Sequence, residues 1–388
     1  MRVFQLLGLT FLLAALAAIS AAVPAQEHAA WPAQCQVGVF LPFFPDGNDA
    51  DRLQREFRVE RIADQIASAG ADYFGMAQYR YVGWENPPQP PYDEKDGTRV
   101  CDELLMEMAD AMARRGIKFF ICVNGDLPGA ESPRRALTPE LAQKWAEALR
   151  YWSALYGEKV FAWRVEGCRA ELGFGEETAA LFRDALRSGN PNALVTFDPG
   201  EGAPDWKCSD FTAGKTCSPP APDGFAAADA DGRKTQILTC LGESWEANVP
   251  RLSADAWTAW AKSAADAGAA LTLESGLTTA EGVAGPGGFG TESLDRIRAV
   301  SDAVKGYTPA DAFRRAVEYD WLRQEITEGR TLESPEALAA LCARIEPLLE
   351  TLEEEEYITP DAAAALGEKL AAAQEDDFAS LTPAQIRE

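Results

Sequence analysis

Short apolar runs alternate with stretches of helical periodicity along most of this chain, and that alternation restricts the folds open to it. Val37–Phe44 reads as a strand and is followed by a helix around Glu56–Ala69. Tyr73–Gln78 is a second strand; after the Pro-rich stretch Asn86–Tyr92 comes a helix over Asp102–Arg115. The pattern continues with strand Lys118–Val123, helix Pro139–Leu155, strand Val160–Val165, a helix through Glu176–Arg187 and strand Ala193–Phe197. Ser209–Phe211 reads as a short sixth strand, Thr235–Cys240 as a seventh and Ala270–Leu273 as an eighth. Such a series fits an α/β fold, a parallel (β/α)8 TIM barrel. An open doubly wound sheet uses similar buried strands, but no Gly-rich phosphate loop opens a helix after the first strand here. Strand signals stop near Tyr307-Thr308-Pro309. The remainder reads as an acidic C-terminal helical extension: residues 301–388 hold 20 Asp and Glu against 8 Lys and Arg.

The expected organisation is a signal peptide over 1–25, a barrel over 31–305 and the extension over 309–388. Met1-Arg2 precedes the apolar run Leu6–Ala22, and Val23-Pro24-Ala25 supplies the small residues of a cleavage site. The product is therefore expected to be secreted or periplasmic, with no membrane attachment once the signal is removed. A formal charge of −25 argues against nucleic-acid or anionic-lipid partners. The eight cysteines permit disulfides in an exported chain, with Cys208 and Cys217 as the best candidate pair. Oligomeric state is not legible.

A single histidine, His28, lies beside the cleavage site. Chemistry resting on an imidazole base, a Ser-His-Asp triad or a histidine-held zinc is thereby nearly excluded. Carboxylate chemistry and sugar binding remain, with no metal and no cofactor expected. In a barrel the working residues lie after the strands. There the chain places Gln78, Tyr79, Arg80 and Trp84 after strand two, Asp126 after strand three, Glu166 at the end of strand four and Asp198 after strand five. Glu243 and Trp245 follow strand seven, and Glu274 ends strand eight. Aromatic faces stack on sugar rings, while carboxylates bind hydroxyls or act on glycosidic bonds. Taken singly, each of these acids reads first as a helix cap or a solvated charge; only together do they suggest a site.

Several segments resemble glycoside hydrolase family 29, the alpha-L-fucosidases. VGVFLPFF, YFGMAQYRY and DELLMEMADAMARRGIKFFICV are similar to that family's first third, VFAWRVEGC to the stretch carrying its nucleophile, TCLGESW to its T-C-M segment and ADAGAALTLESG to its eighth strand. The likeness runs over roughly residues 31–300. It implies a barrel, a carbohydrate ligand and Glu166 at the nucleophile position. The departures are specific. Pro42-Phe43 stands for the family's His-Trp pair, Gln78, Tyr79 and Arg80 for its paired histidines, and Leu238 for the glutamate before Thr-Cys. The family's C-terminal β-sandwich gives way to acidic helices.

The expected function is thus a carbohydrate-active glycoside hydrolase of fucosidase-like descent with an altered site. Glu166 would act as nucleophile or stabiliser. Asp126, Asp198, Asp210, Glu243 and Glu274 are the candidates for its acid/base partner, with Glu243 favoured for lying between a glycine and an aromatic loop. The alternatives are a catalytically inactive carbohydrate-binding barrel and a scaffold acting through its acidic tail.

Overall fold

The computed structural model describes residues 30–42, 57–78, 98–124, 136–200, 203–216, 226–245, 247–277 and 288–308, with single positions 311, 315 and 364. The proposed signal segment and nearly all of the acidic extension lie outside them.

Eight strands form one all-parallel sheet: β1 (Val37–Leu41), β2 (Tyr73–Gln78), β3 (Lys118–Asn124), β4 (Val160–Glu166), β5 (Leu194–Phe197), β6 (Lys215–Thr216), β7 (Gln236–Cys240) and β8 (Ala270–Glu274). The order across the sheet is β5-β4-β3-β2-β1-β8-β7-β6, with β1 paired to both β2 and β8. Six helices of the described residues follow their strands: α1 (Val59–Ser68), α2 (Thr98–Arg114), α3 (Pro139–Tyr156), α4 (Glu176–Leu186), α5 (Ala254–Asp266) and α6 (Thr291–Lys305). The starts of α3 and α5 carry the expected caps. Thr138 accepts the Leu141 N–H ahead of Pro139, and Ser253 accepts the Ala256 N–H.

The strands read as near-continuous apolar runs because both faces are covered. Val39, Leu41, Phe74, Met76, Phe119, Ile121, Trp163, Val165 and Phe197 face the helices, against Ile66, Met108, Trp145, Trp152, Phe182, Trp257 and Ile297. The other face carries a second cluster, Phe40, Tyr73, Ala77, Phe120, Cys122, Ala162, Leu194, Phe211 and Leu238. Trp31 shows that this second face is strongly curved. Its ring lies 5.9 Å from Phe161 on β4 and 5.1 Å from Phe211 just ahead of β6. Those strands stand six spacings apart in the sheet order, about 29 Å in a flat sheet. One side chain touches both only if the sheet curls around it. Phe161 joins this contact because the register slips between Phe119 and Phe120, leaving it as the extra residue of a bulge.

The sixth strand departs from expectation. Regular pairing falls on Lys215–Thr216 rather than on 209–211. The earlier residues are held by a mixture of side-chain and main-chain bonds. The Asp210 N–H donates to the Val195 carbonyl, Asp210 Oδ2 accepts the Val195 N–H, and Thr196 Oγ1 donates to the Phe211 carbonyl. Arg187 also bonds both oxygens of Asp210, so this carboxylate is occupied as a structural pin between α4 and β5. Cys208 is a buried thiol in the structure, not half of a bridge; Cys217 lies outside the described residues. Its place in the helix-facing core, beside β5, keeps it away from solvent.

Gly214 makes the approach to β6 possible. Its φ is +55°, and a Cβ there would overlap the Gln236 carbonyl oxygen of β7. Gly232 also has a positive φ, +81°, but a Cβ there meets nothing within 4 Å. Gly214→Ala is expected to cost about 3 kcal/mol or more, from backbone strain plus a collision that no side chain can relieve. Gly232→Ala should cost only about 1 kcal/mol. Urea unfolding midpoints check this, and equal shifts in the two variants would contradict it.

Candidate active site

Alternation along β4 sends Trp163 and Val165 to the helices and Ala162, Arg164 and Glu166 to the concave face. Arg164 is 2% exposed and Glu166 8%. The Arg164 guanidinium divides its donors three ways: Nε to Glu166 Oε1 at 3.2 Å, Nη2 to Asp198 Oδ2 at 2.8 Å and Nη1 to the Ala213 carbonyl at 2.5 Å. Lys215 at the start of β6 donates from Nζ to Glu166 Oε2 at 3.0 Å. Asp198 Oδ1 accepts the Gly200 N–H at 2.9 Å, a turn that uses a positive φ of +98° at Gly200. Two cations and two carboxylates thus form a connected cluster at the C-terminal ends of β4 and β5 and the start of β6.

The charges support one another where water does not. Burial opposes the charged form of Asp198, but Arg164, Lys215 and the Gly200 N–H together hold its carboxyl below the usual range. Burial likewise works against the Lys215 ammonium, and Glu166 and Asp198 overcome it, so that lysine stays protonated more firmly than usual. Arg164 is raised further still by the same two carboxylates, against its own burial. Because Asp198 titrates lower when folded, its contribution to stability is present above its ordinary value of 3.8 and is lost as pH falls through and below that value. Thermal melting at about pH 3 and about pH 6 should show a larger acid loss for wild type than for Asp198→Asn. Equal losses would remove Asp198 from the charge network.

The structure places the other sequence candidates as follows. Glu274 ends β8 with no exposure and pairs in register with Phe40 and Cys240, on the same concave face. Trp245 is partly buried against the inner cluster, with the Lys215 ammonium 5.1 Å from its ring centroid. Glu243 is exposed on the stretch after β7. Gln78 is buried at the end of β2. Tyr79, Arg80, Trp84 and Asp126 lie outside the described residues. Asp198 and Glu166 share the guanidinium of Arg164. Both cations were absent from the sequence-based candidates. The period of two along β4 could have put Arg164 beside Glu166; nothing in the polar stretch around Lys215 signals its role. Among the described residues no three His, Cys, Asp or Glu side chains gather as a metal site, and no helix is long and apolar enough to cross a membrane.

No protein-family model matches this chain, and no curated protein is similar to it at a significant level. Solved structures do resemble it. The endo-fucoidan hydrolase MfFcnA9 of glycoside hydrolase family 107 superposes with a TM-score of 0.53 at 15% identity, over 73% of this chain and 65% of that one. MfFcnA4 of the same family gives 0.52 at 15%, over 70% of this chain and 52% of the other. A family 29 alpha-L-fucosidase from Bacteroides thetaiotaomicron, trapped as a covalent intermediate with 2-fluoro-fucosyl fluoride, gives 0.50 at 11% identity, over 74% of this chain and 78% of its own. The chain spans 52% and 65% of the two endo-fucoidan hydrolases. Its fold is that of fucose-processing glycoside hydrolases. That fold is common to families 29 and 107, so the likeness does not single out family 29.

Proposed function

We propose that this protein is an exported glycoside hydrolase of altered active site, acting on fucose-containing glycans from the C-terminal mouth of a closed (β/α)8 barrel. The observation that carries the reading is Glu166: an inward-facing carboxylate at the end of β4, clamped on both oxygens by cations. A carboxylate so oriented is suited to attack an anomeric carbon or to shield the positive charge that grows there. Trp245 offers an apolar face beside Lys215 on which a sugar can rest. Asp198 and Glu274 contribute polar groups to the concave face, whereas Gln78, in register with Val123 and two residues from Met76, falls on the helix-facing side of β2. Tyr79, Arg80, Trp84 and Asp126 follow β2 and β3 in sequence. The second carboxyl required for protonation comes from the same mouth, where Glu243 is the candidate carried by the sequence. Closure of the barrel is supported by residues 209–213, bonded to β5 on one side and β7 on the other. The apolar leader over 1–25 supports export.

One observation favours a second reading, a sugar-binding barrel without catalysis. Both oxygens of Glu166 are already bonded to cations, which lowers their readiness to attack. Hydrolysis of an aryl-glycoside panel by wild type, Glu166→Gln and Glu171→Gln separates the two. Loss confined to Glu166→Gln supports the hydrolase. Equal activity in both variants rejects it, and binding of a fucosylated glycan without turnover by wild type selects the second reading.

A further inference from the structure

We infer that Asp205 is the general acid and base that works with Glu166, a role resting on the hydrolase reading above. Asp205 sits on the stretch between β5 and β6, and its position is determined from two sides. Trp206 Nε1 donates to the Cys168 carbonyl at 2.8 Å, two residues beyond Glu166. Asp205 Oδ1 accepts the Ala213 N–H at 2.9 Å, two residues ahead of Lys215, whose amine holds Glu166. Ala213 also gives its carbonyl to Arg164, the other cation on Glu166. Arg233 Nη1 fastens the stretch from a third direction through the Trp206 carbonyl. Asp205 is therefore tied to the segment that bears Glu166 and to the segment that clamps it. Its second oxygen accepts no hydrogen bond among the described residues.

The environment suits a proton carrier. Burial pushes the Asp205 carboxyl up, against the Ala213 N–H and the Arg233 and Arg164 cations, and the neighbouring Asp198 adds to the rise. Asp198 itself is held down. Adjacent carboxyls driven in opposite directions are the pattern by which one site keeps a protonated and an ionised acid together. Side-chain exposure is intermediate, leaving a route for the proton.

In the first half-reaction Asp205 gives its proton to the glycosidic oxygen as the bond from that oxygen to C1 breaks, and the bond's electron pair leaves with the oxygen. Glu166 bonds to C1 or shields its positive charge. In the second half a water oxygen bonds to C1 and its proton passes to the Asp205 carboxylate. Asp205 is again protonated, and Glu166 is released as a carboxylate.

Asp205→Asn is the decisive variant, because the amide oxygen can still accept the Ala213 N–H while the group no longer transfers a proton. Hydrolysis of alkyl glycosides, which need protonation, should fall by about 10²- to 10⁴-fold. Dinitrophenyl glycosides, which leave unaided, should fall under about tenfold, and the basic limb of the wild-type pH profile should vanish. Glu171→Gln and Glu243→Gln are assayed in parallel, and Glu171→Gln, at an exposed carboxylate outside the site, should keep both activities and that limb. Equal loss on both substrate types, no loss at all, or the leaving-group pattern in Glu243→Gln would overturn the assignment. If Glu166→Gln is inactive and Asp205→Asn is not impaired, this inference alone falls. If wild type hydrolyses neither substrate, or Glu166→Gln is as active as wild type, the hydrolase reading falls and takes this one with it.

Discussion

Glu166→Gln is expected to reduce turnover by on the order of 10⁴-fold while the protein stays folded. The amide preserves the volume of the side chain, so the strand end need not move. What changes is charge and polarity of contact. One amide end can still accept from Arg164 or from Lys215, but the other is now a donor facing a donor. One of the two cations therefore loses its partner in a nearly dry site. Under the proposed hydrolase function no carboxylate would remain to attack or to shield C1, and that loss would dominate the kinetics. Glu171 lies a few residues on, exposed on a short turn of 3₁₀ helix, so Glu171→Gln controls for charge alone. Steady-state kinetics on good substrates, with circular dichroism to confirm folding, give the comparison. Activity within about tenfold of wild type in Glu166→Gln would contradict it.

Arg164→Met should lower stability by about 3–5 kcal/mol, the largest loss expected from any single change in this cluster. Methionine fills much of the same space but donates nothing. Glu166 would keep only Lys215, Asp198 only the Gly200 N–H, and the Ala213 carbonyl would lose its arginine donor. The cost lies mainly in the carboxylates left buried with too few partners, not in the attraction removed. Hence the double change Arg164→Met with Asp198→Asn should be less damaging than the sum of the singles. Urea unfolding of the four proteins tests this coupling, and strict additivity would show that Arg164 and Asp198 do not act as a unit. Loss of the Ala213 contact should also loosen the approach to β6, so turnover falls along with stability.

Much of the architecture was legible because it is written in apolar periodicity. Seven of the strands fall where the hydrophobic runs place them, and α1 to α4 fall where their 3.6-residue patterns place them, whereas α5 and α6 were not assigned from the sequence. The sixth strand was displaced because its neighbourhood has no such run. Asp210 and Thr196 make bonds there that a regular ladder would otherwise supply, and a polar side chain doing backbone duty leaves no periodic trace. The site was half legible. Glu166, Asp198 and Glu274 stand out as acids terminating apolar strands. Arg164 was hidden inside a strand, where a charge is read as an anomaly until its partners are seen, and Lys215 required the chain to bring β6 across to β4. Asp205 lies five residues from Asp210 in a loop rich in polar residues, and only the bonds of Trp206 and Ala213 distinguish it.

The tryptophan at position 31 has one more consequence. Its indole N–H bonds the Cys35 carbonyl, and its ring touches Tyr73 at the start of β2, so the earliest described stretch of chain is seated like a stopper in the end of the sheet where the strands begin. Glu166 and Lys215 lie toward the opposite end. Anything joined ahead of residue 30, whether a bead, a surface or an affinity handle, would hold the molecule from behind and leave the end that bears Glu166 directed outward.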